Sequence, residues 1–226
     1  FNVFGELDTV ALAAHCGSSD GFVSKWYDQA GSNDATQTTT ANMPKIYDGT
    51  TGVVTENGKP KVQSGAGKFM NLPLSSTGEY KIYHIGSLSS DSAFLGCESG
   101  GNWVIIADSG STDARNNFNA TITSARKNGS AYSFTNWGTS YTDLLPQTLL
   151  YIDVDLNFTG SLLRLGWAVA TQYPMMDSQE LIIYTTDQSN DQTSIEQNIG
   201  DYFTQNTPLL DTYTGAEAAY SLRRLS

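Results

Sequence analysis

The chain has 226 residues, 12 of them Lys or Arg against 23 Asp or Glu, for a formal charge of −11. Only 15% are charged while 39% are hydrophobic and 11% aromatic, too apolar for a disordered chain. The acidic balance excludes a partner gripped through nucleic-acid phosphates, which needs clustered Lys and Arg. No apolar run approaches the roughly 18 residues of a membrane span.

The length suits one β domain, a class that reaches about 200–250 residues as a single unit. The chain opens on Phe1, with no basic segment leading into an apolar one, and so reads as processed or as a piece of something longer. Residues 8–15 form the first predicted helix, with Asp8 as a capping residue and Gly17 as a C-terminal glycine. Residues 21–27 follow as a strand, and further strands are predicted at 80–85, 103–107, 149–154, 162–167 and 180–184, all rich in β-branched and aromatic side chains. Turn signals fall between them at Asp48-Gly49, Asn57-Gly58, Gly100-Gly101, Asn128-Gly129 and residues 157–160. Many short strands at this spacing indicate an antiparallel sandwich or barrel. Residues 181–184 are apolar on both parities, as in a strand covered on both faces.

A second helix is predicted from residue 189 onward. Ile195, Ile199 and Phe203 share one face at i, i+4 and i+8, with Glu196, Gln197 and Asp201 on the other. Pro208 stops it. The tail from 207 to 226 differs in kind: a turn at 212–215, then a strand or helical turn at 216–225. It carries Arg223 and Arg224, a rare basic pair whose plain reading is a solvated surface pair.

Catalytic signatures are sparse. His15 and His84 are the only histidines, and each stands alone, which suits structural roles better than metal ligation. Cys16 and Cys97 are too few for a disulfide framework; two unpaired thiols are the plain reading and one bridge the alternative. No nucleophile elbow, phosphate loop or dinucleotide fingerprint is present. Glycoside hydrolysis needs two carboxylates flanking the sugar. The candidates are Glu98, Asp108, Asp153 and Asp155, of which the first two read more simply as loop carboxylates. Asp153 and Asp155 share one strand face; simple exposure explains them, and a bound Ca²⁺ is the alternative. No other cofactor is implied.

Sugar binding demands less: an aromatic platform and polar groups for hydroxyls. Most aromatics of a sandwich belong to its core. Trp137 is the exception, because residues 134–141 around it are largely polar. Trp137, Asn136 and Tyr141 are the predicted carbohydrate-binding residues.

Residues 21–37, reading G-F-V-S-K-W-Y-D-Q-A-G-S-N-D-A-T-Q, followed by A-N-M-P-K-I at 41–46, carry a resemblance. They are similar to the F-V-x-x-W-Y-D-Q-S-G-x-G-N-x-A-T-Q … A-N-Q-P-x-I segment of concanavalin A-like lectin/glucanase domains. The subgroup is similar to the catalytic domain of arabinofuranosidase B and occurs in phage tail and other virion proteins and in secreted bacterial proteins. N-G-K-P at 57–60 resembles its N-G-K-P-A-V strand, and residues 179–202 its E-I-I-I-Y-x-x-D-Q-S … I-E-x-N-I-x-x-Y ending. The middle of the chain is unmatched.

In physical terms, Trp26 or Tyr27 should plug the core, Asp28 should cap the turn through backbone N–H groups, and Gly31 should supply permissive dihedrals. The loop is one residue shorter than the family pattern and lacks its second Gly. The arabinofuranosidase relatives are retaining glycosidases with a Glu nucleophile after a Trp-containing strand. The nearest match here, residues 103–110, offers Asp108 and no Glu, and the relatives' adjacent cysteine pair is missing. The resemblance therefore implies the scaffold and argues against the hydrolase.

The tail resembles the opening of such a domain, which normally precedes the W-Y-D-Q motif. It either begins a following tandem copy or supplies a missing first strand, to its own domain or to a neighbouring subunit.

Taken together, the expectation is all-β: a jelly-roll β-sandwich of concanavalin A-like type with two short helices, spanning residues 1–206, plus the strand-like tail at 207–226. The expected role is that of a non-enzymatic structural or adhesion protein of a virion surface or extracellular filament, assembling with itself and binding surface glycans. Tyr213, Tyr220, Leu222, Arg223 and Arg224 are the expected assembly residues. A glycoside hydrolase or the carbohydrate-binding module of a larger enzyme is the alternative.

Overall fold

The computed structural model describes residues 2, 5–65, 67–88, 92–97, 102–107, 112, 117–160, 162–166, 176–205 and 216–223. Among them the chain is mostly β, built from antiparallel sheets. A six-stranded sheet runs in the order Ser130–Ala131, Ala120–Lys127, Thr148–Asn157, Thr77–Ser87, Asp177–Tyr184, Ala218–Ser221. A seven-stranded sheet runs Asn117–Phe118, Trp103–Ala107, Ser92–Cys97, Leu163–Leu165, Met70–Leu72, Ala35–Thr36, Lys25–Trp26.

The six-stranded sheet is covered on both faces. Ile82, Ile152, Val154, Leu181 and Ile183 share one core with Met70, Leu72, Leu95, Val104 and Leu165 of the seven-stranded sheet, the arrangement of a β-sandwich. The alternate residues Tyr83, Ile85, Tyr151, Ile182 and Tyr184 pack under a helix instead, because successive side chains of a strand point to opposite faces. At about 1.5–3 kcal/mol for each large apolar side chain fully buried, these two layers drive folding. Double coverage explains why every residue from Asp177 to Tyr184 is buried.

Among the described residues there are three α-helices, one more than expected. α1, Thr9–Cys16, begins as predicted: the Asp8 carboxylate accepts from Ala11 N at 2.9 Å, and Gly17 at φ 58° ends it. α2, Trp137–Leu144, falls on the segment expected to be a polar loop. Its residues are poor helix formers, and it is held by tertiary contacts: Asn136 caps Thr139 N at 2.7 Å, Leu144 is fully buried, and Trp137 meets Trp103 edge to face. α3, Gln192–Gln205, buries Ile195, Ile199 and Phe203 as predicted. Glu196, expected on its solvent face, is instead buried and accepts from Arg126 Nε at 2.8 Å.

The strand expected at 21–27 is two strands. Gly21–Phe22 pairs with Lys45–Asp48 in a small separate sheet, while Lys25–Trp26 belongs to the seven-stranded one. Asn57-Gly58 and Asn128-Gly129 form the predicted tight hairpins, with φ of 48° and 77°, then 49° and 77°. Positive φ at both central positions matches the twist of the flanking strands.

Gly86 is required for another reason. It faces the register irregularity between Ser178 and Glu180, where an added Cβ would fall 1.8 Å from Asp177 O. The buried Gln179 at that irregularity sends its Nε2 to the carbonyls of Lys59 and Pro60, tying the 55–60 hairpin to the sheet.

Candidate functional site: a socket for the tail strand

The W-Y-D-Q-A-G-S-N run at 26–33 builds the most specific polar constellation among the described residues. Trp26 is buried, whereas Tyr27 is 65% exposed, so Trp26 is the core plug. Asp28 shapes the loop as expected: its two oxygens accept from Ala30 N at 2.8 Å and Asn33 N at 2.9 Å. Gly31 departs from expectation. It is not in the left-handed region; a Cβ would come 3.2 Å from Asp28 Oδ2, so the carboxylate would have to give by a few tenths of an ångström.

This loop closes around the tail. The strand Ala218–Ser221 pairs with Asp177–Tyr184 in the register Leu181–Tyr220 and Ile182–Ala219. Its other edge would offer bare N–H and C=O groups, and the loop covers them. Ala219 N donates to Asp28 Oδ1 at 3.1 Å, and Gln29 N donates to Ala219 O at 2.9 Å. Trp26 Nε1 and Gln29 Nε2 both donate to Ser221 O, at 3.2 and 3.1 Å. Gln29 Nε2 also reaches Arg223 O at 2.9 Å, and Asn33 Nδ2 reaches Glu217 O at 2.9 Å. Tyr220 donates its hydroxyl to Asn33 O and lays its ring 5.9 Å from that of Trp26. Trp26, Asp28, Gln29 and Asn33 thus all direct polar groups to tail backbone.

Arg223 locks the end. Its Nε and Nη2 fork onto Glu180 at 2.6 and 3.0 Å, with side-chain exposures of only 3% and 0%. Nη2 also donates to Asn198 Oδ1 at 2.9 Å, and the guanidinium lies 4.5 Å from the Tyr202 ring. Ser221 Oγ donates to the same carboxylate at 2.7 Å. The expected surface role for Arg223 is therefore corrected: it is a buried, bidentate partner. Next to it, Tyr202 and Lys59 donate to Glu6 at 2.9 and 3.1 Å. Burial raises the Glu6 carboxyl, but these donors outweigh it and hold the group below its ordinary value.

Of the five predicted assembly residues, Tyr220 is buried in the core, Leu222 packs against it and accepts at its carbonyl from Leu7 N at 2.8 Å, and Arg223 anchors the end. Tyr213 and Arg224 lie outside the described residues. Beside the socket opens a cavity of about 360 Å³ whose rim includes Phe22, Lys25, Trp26, Tyr27 and Gln29. Lys25 Nζ sits 5.2 Å from the Tyr27 ring. Sequence reasoning did not single out this cavity, because the burial of Trp26 and exposure of Tyr27 depend on how the strand splits.

The predicted carbohydrate residues lie elsewhere. Trp137 is half-buried at the start of α2, 6.5 Å from Trp103 and packed over Ala93, so it does not stand free in a loop. The Asn136 side-chain oxygen is engaged as the helix cap, and Tyr141 is half-buried against the main core. Trp167 lies outside the described residues.

Of the four candidate acids, only Asp153 and Asp155 fall within the described residues. Asp153 pairs with Lys81 at 3.2 Å, Asp155 is exposed, and Glu98 and Asp108 lie outside the described residues. Two other carboxylates do converge: Lys61 bridges Glu56 at 2.8 Å and Asp177 at 2.6 Å. Burial lowers the lysine's affinity for its proton, but the hydrogen bonds it donates to both carboxylates more than restore it and raise its pKa. Among the described residues, no group of three or more His, Cys, Asp or Glu is placed to hold a metal ion.

His84 is structural in its contacts. Ser178 Oγ donates to Met176 O, so His84 donates from Nε2 to Ser178 Oγ at 2.8 Å, with its ring against Phe94. Burial pushes its pKa down to about 3. Cys16 and Cys97 are both free thiols. No helix among the described residues is long and apolar enough to cross a membrane.

Comparison with known proteins finds no matching family model, no matching curated protein and no matching solved structure.

Proposed function

We propose that this chain is a non-enzymatic structural or adhesion module of a virion surface or extracellular filament, with a jelly-roll, concanavalin A-like sandwich as its scaffold. The resemblance of residues 21–46, 57–60 and 179–202 supports the scaffold. One observation carries the function. The polar side chains of the motif loop, where a ligand would otherwise be gripped, are directed to the backbone of a C-terminal strand. A site of that kind recognises a polypeptide strand by main-chain hydrogen bonding, which is the chemistry of assembly.

Glycan binding is the second part of this reading, favoured by the exposed Tyr27 ring beside a largely apolar cavity that Ser24, Lys25 and Gln29 also line. A 65%-exposed aromatic offers a flat face to a pyranose, and Tyr27 joins Trp137, Asn136 and Tyr141 as a candidate contact.

Light scattering across a concentration series tests assembly: a homo-oligomer is expected, and a monomer at the highest concentration overturns it. A glycan array on wild type, Tyr27→Ala and Trp137→Ala tests adhesion and separates the two surfaces. Hydrolysis of arabinose- or glucose-containing polysaccharide by the purified chain would overturn the non-enzymatic reading.

A further inference from the structure

We propose that the socket of one copy takes the tail strand of a second copy, with the Glu180–Arg223 pair as the selective lock. This rests on the assembly reading above and names its partner, a second copy of this chain.

The argument begins with what an empty socket would cost. Without the tail, Glu180 keeps a fully buried carboxylate and loses both Arg223 and Ser221 as donors. Trp26 Nε1 loses its acceptor, and the wholly buried strand Asp177–Tyr184 becomes a bare sheet edge. Each loss is unfavourable by itself, so the socket selects strongly for being filled.

Every contact that fills it is a contact with residues 216–223: backbone ladder, loop side chains, ion pair and ring stacking. None needs the strand to belong to the same polypeptide. A tail from a second copy reproduces the whole set, so the contacts that fill the socket are the same whichever chain supplies the strand. Elements of this kind are the low-cost route to exchanged dimers. The donor (216–223) and the acceptor (26–33 and 177–203) are different surfaces of one chain. Reciprocal exchange closes a dimer, and one-way exchange leaves a free tail at one end and an open socket at the other, which propagates a chain.

The lock supplies selectivity. A strand lacking a guanidinium at the position of Arg223 would bury Glu180 without its bidentate donor, so the socket favours this tail over generic β-strands.

The test uses two full-length variants, Asn33→Cys and Glu217→Cys, each in a Cys16→Ser background. Asn33 Nδ2 and Glu217 O are in hydrogen-bond contact across the seam, so a short bis-maleimide spans the pair. The two variants are unfolded in denaturant, mixed, refolded together over a concentration series and cross-linked. Exchange predicts a heterodimer joined through positions 33 and 217, its yield rising several-fold over a tenfold rise in concentration. A double variant with both cysteines in one chain, cross-linking internally at low concentration, shows that the reagent reaches. No 33–217 heterodimer at any concentration overturns the proposal. If light scattering still shows an oligomer, exchange fails while assembly stands; if it shows only monomer, both fail.

A second pair of full-length variants needs no reagent. Glu180→Arg and Arg223→Glu each place like charges together in their own chain, and their mixture offers opposite charges in both directions. Exchange predicts a 1:1 dimer from the mixture, with amide protection at 218–221 regained, and neither from the single variants. A mixture that behaves as the sum of its parts overturns the proposal.

Discussion

The two edges of the six-stranded sheet solve one problem by different means. At one edge, Ser130–Ala131 is a two-residue strand folded back by the Asn128-Gly129 turn onto its sequence neighbour. Both its residues are exposed, and its shortness alone keeps it from recruiting other chains. At the other edge, Ala218–Ser221 is entirely buried, and the loop at 26–33, nearly two hundred residues away in sequence, caps it with named side chains. The first edge is local, cheap and tolerant. The second is non-local and specific, and depends on groups whose bonds to the strand have no local substitute. Only the second carries the information needed to choose a partner.

Four measurements break or sharpen this contrast. Arg223→Ala takes the charged, bidentate donor from the buried Glu180 and should destabilise the chain by about 3–5 kcal/mol; urea unfolding reads the loss. A change under about 1 kcal/mol would show that the far edge is as tolerant as the near one.

Asp28→Ala removes the acceptor for Ala30, Asn33 and Ala219 N–H groups and should cost about 1–3 kcal/mol. Its hydrogen-exchange signature should be confined to 216–223 and the loop, with amides of the 126–131 hairpin unchanged.

Acid should act on both edges together. His84 lies on the central strand Thr77–Ser87, with a pKa of about 3 when folded against an ordinary value of 6.5. The unfolded chain binds the proton first, so this stability is complete above about pH 6.5 and is lost as the pH falls toward 3. Between pH 7 and 5 the loss is about 2 kcal/mol. His84→Leu should flatten that slope; an unchanged slope would assign the acid sensitivity to other groups.

The smallest effect is at the near edge. Asn128→Ala removes the short polar side chain that makes φ 49° tolerable for a residue with a Cβ, and with it the acceptor for Leu149 N. The cost should be about 1–2 kcal/mol in thermal melts, with no change in oligomeric state.

What the sequence made legible follows the same division. The Asn-Gly turns, the Asp8 cap with Gly17, and the Ile195/Ile199/Phe203 stripe are local signals, and the structure has each of them. Glu196 was misplaced because its partner, Arg126, lies 70 residues away and no periodicity reveals it. α2 was invisible because Trp137, Gly138, Thr139 and Thr142 disfavour a helix that packing against Trp103 nevertheless imposes. The 21–27 strand reads as continuous because nothing in its alternation marks the transfer between sheets at residues 23 and 24. Asp28 was legible as a turn cap, since that role is local. Its bond to Ala219 N joins positions 191 residues apart and could only be seen folded. The tail was legible as strand-like, but a basic pair at the end of an acidic chain gave no sign that Arg223 is buried.

The depth of the Glu180–Arg223 pair also sets a timetable for biosynthesis. Strand Asp177–Tyr184 leaves the ribosome before its edge partner exists, and Arg223 follows Tyr184 by 39 residues, 223 minus 184. At about 5–20 residues per second, that is a window of roughly two to eight seconds. Throughout it the nascent sheet presents an open edge and a Glu180 carboxylate without its Arg223 and Ser221 donors. Neighbouring nascent chains on one message would meet in that state, each holding a vacant groove and about to release the segment that fits it. Under the proposed exchange, translation rate and spacing would join equilibrium affinity in setting how tails are partitioned between their own chain and the next.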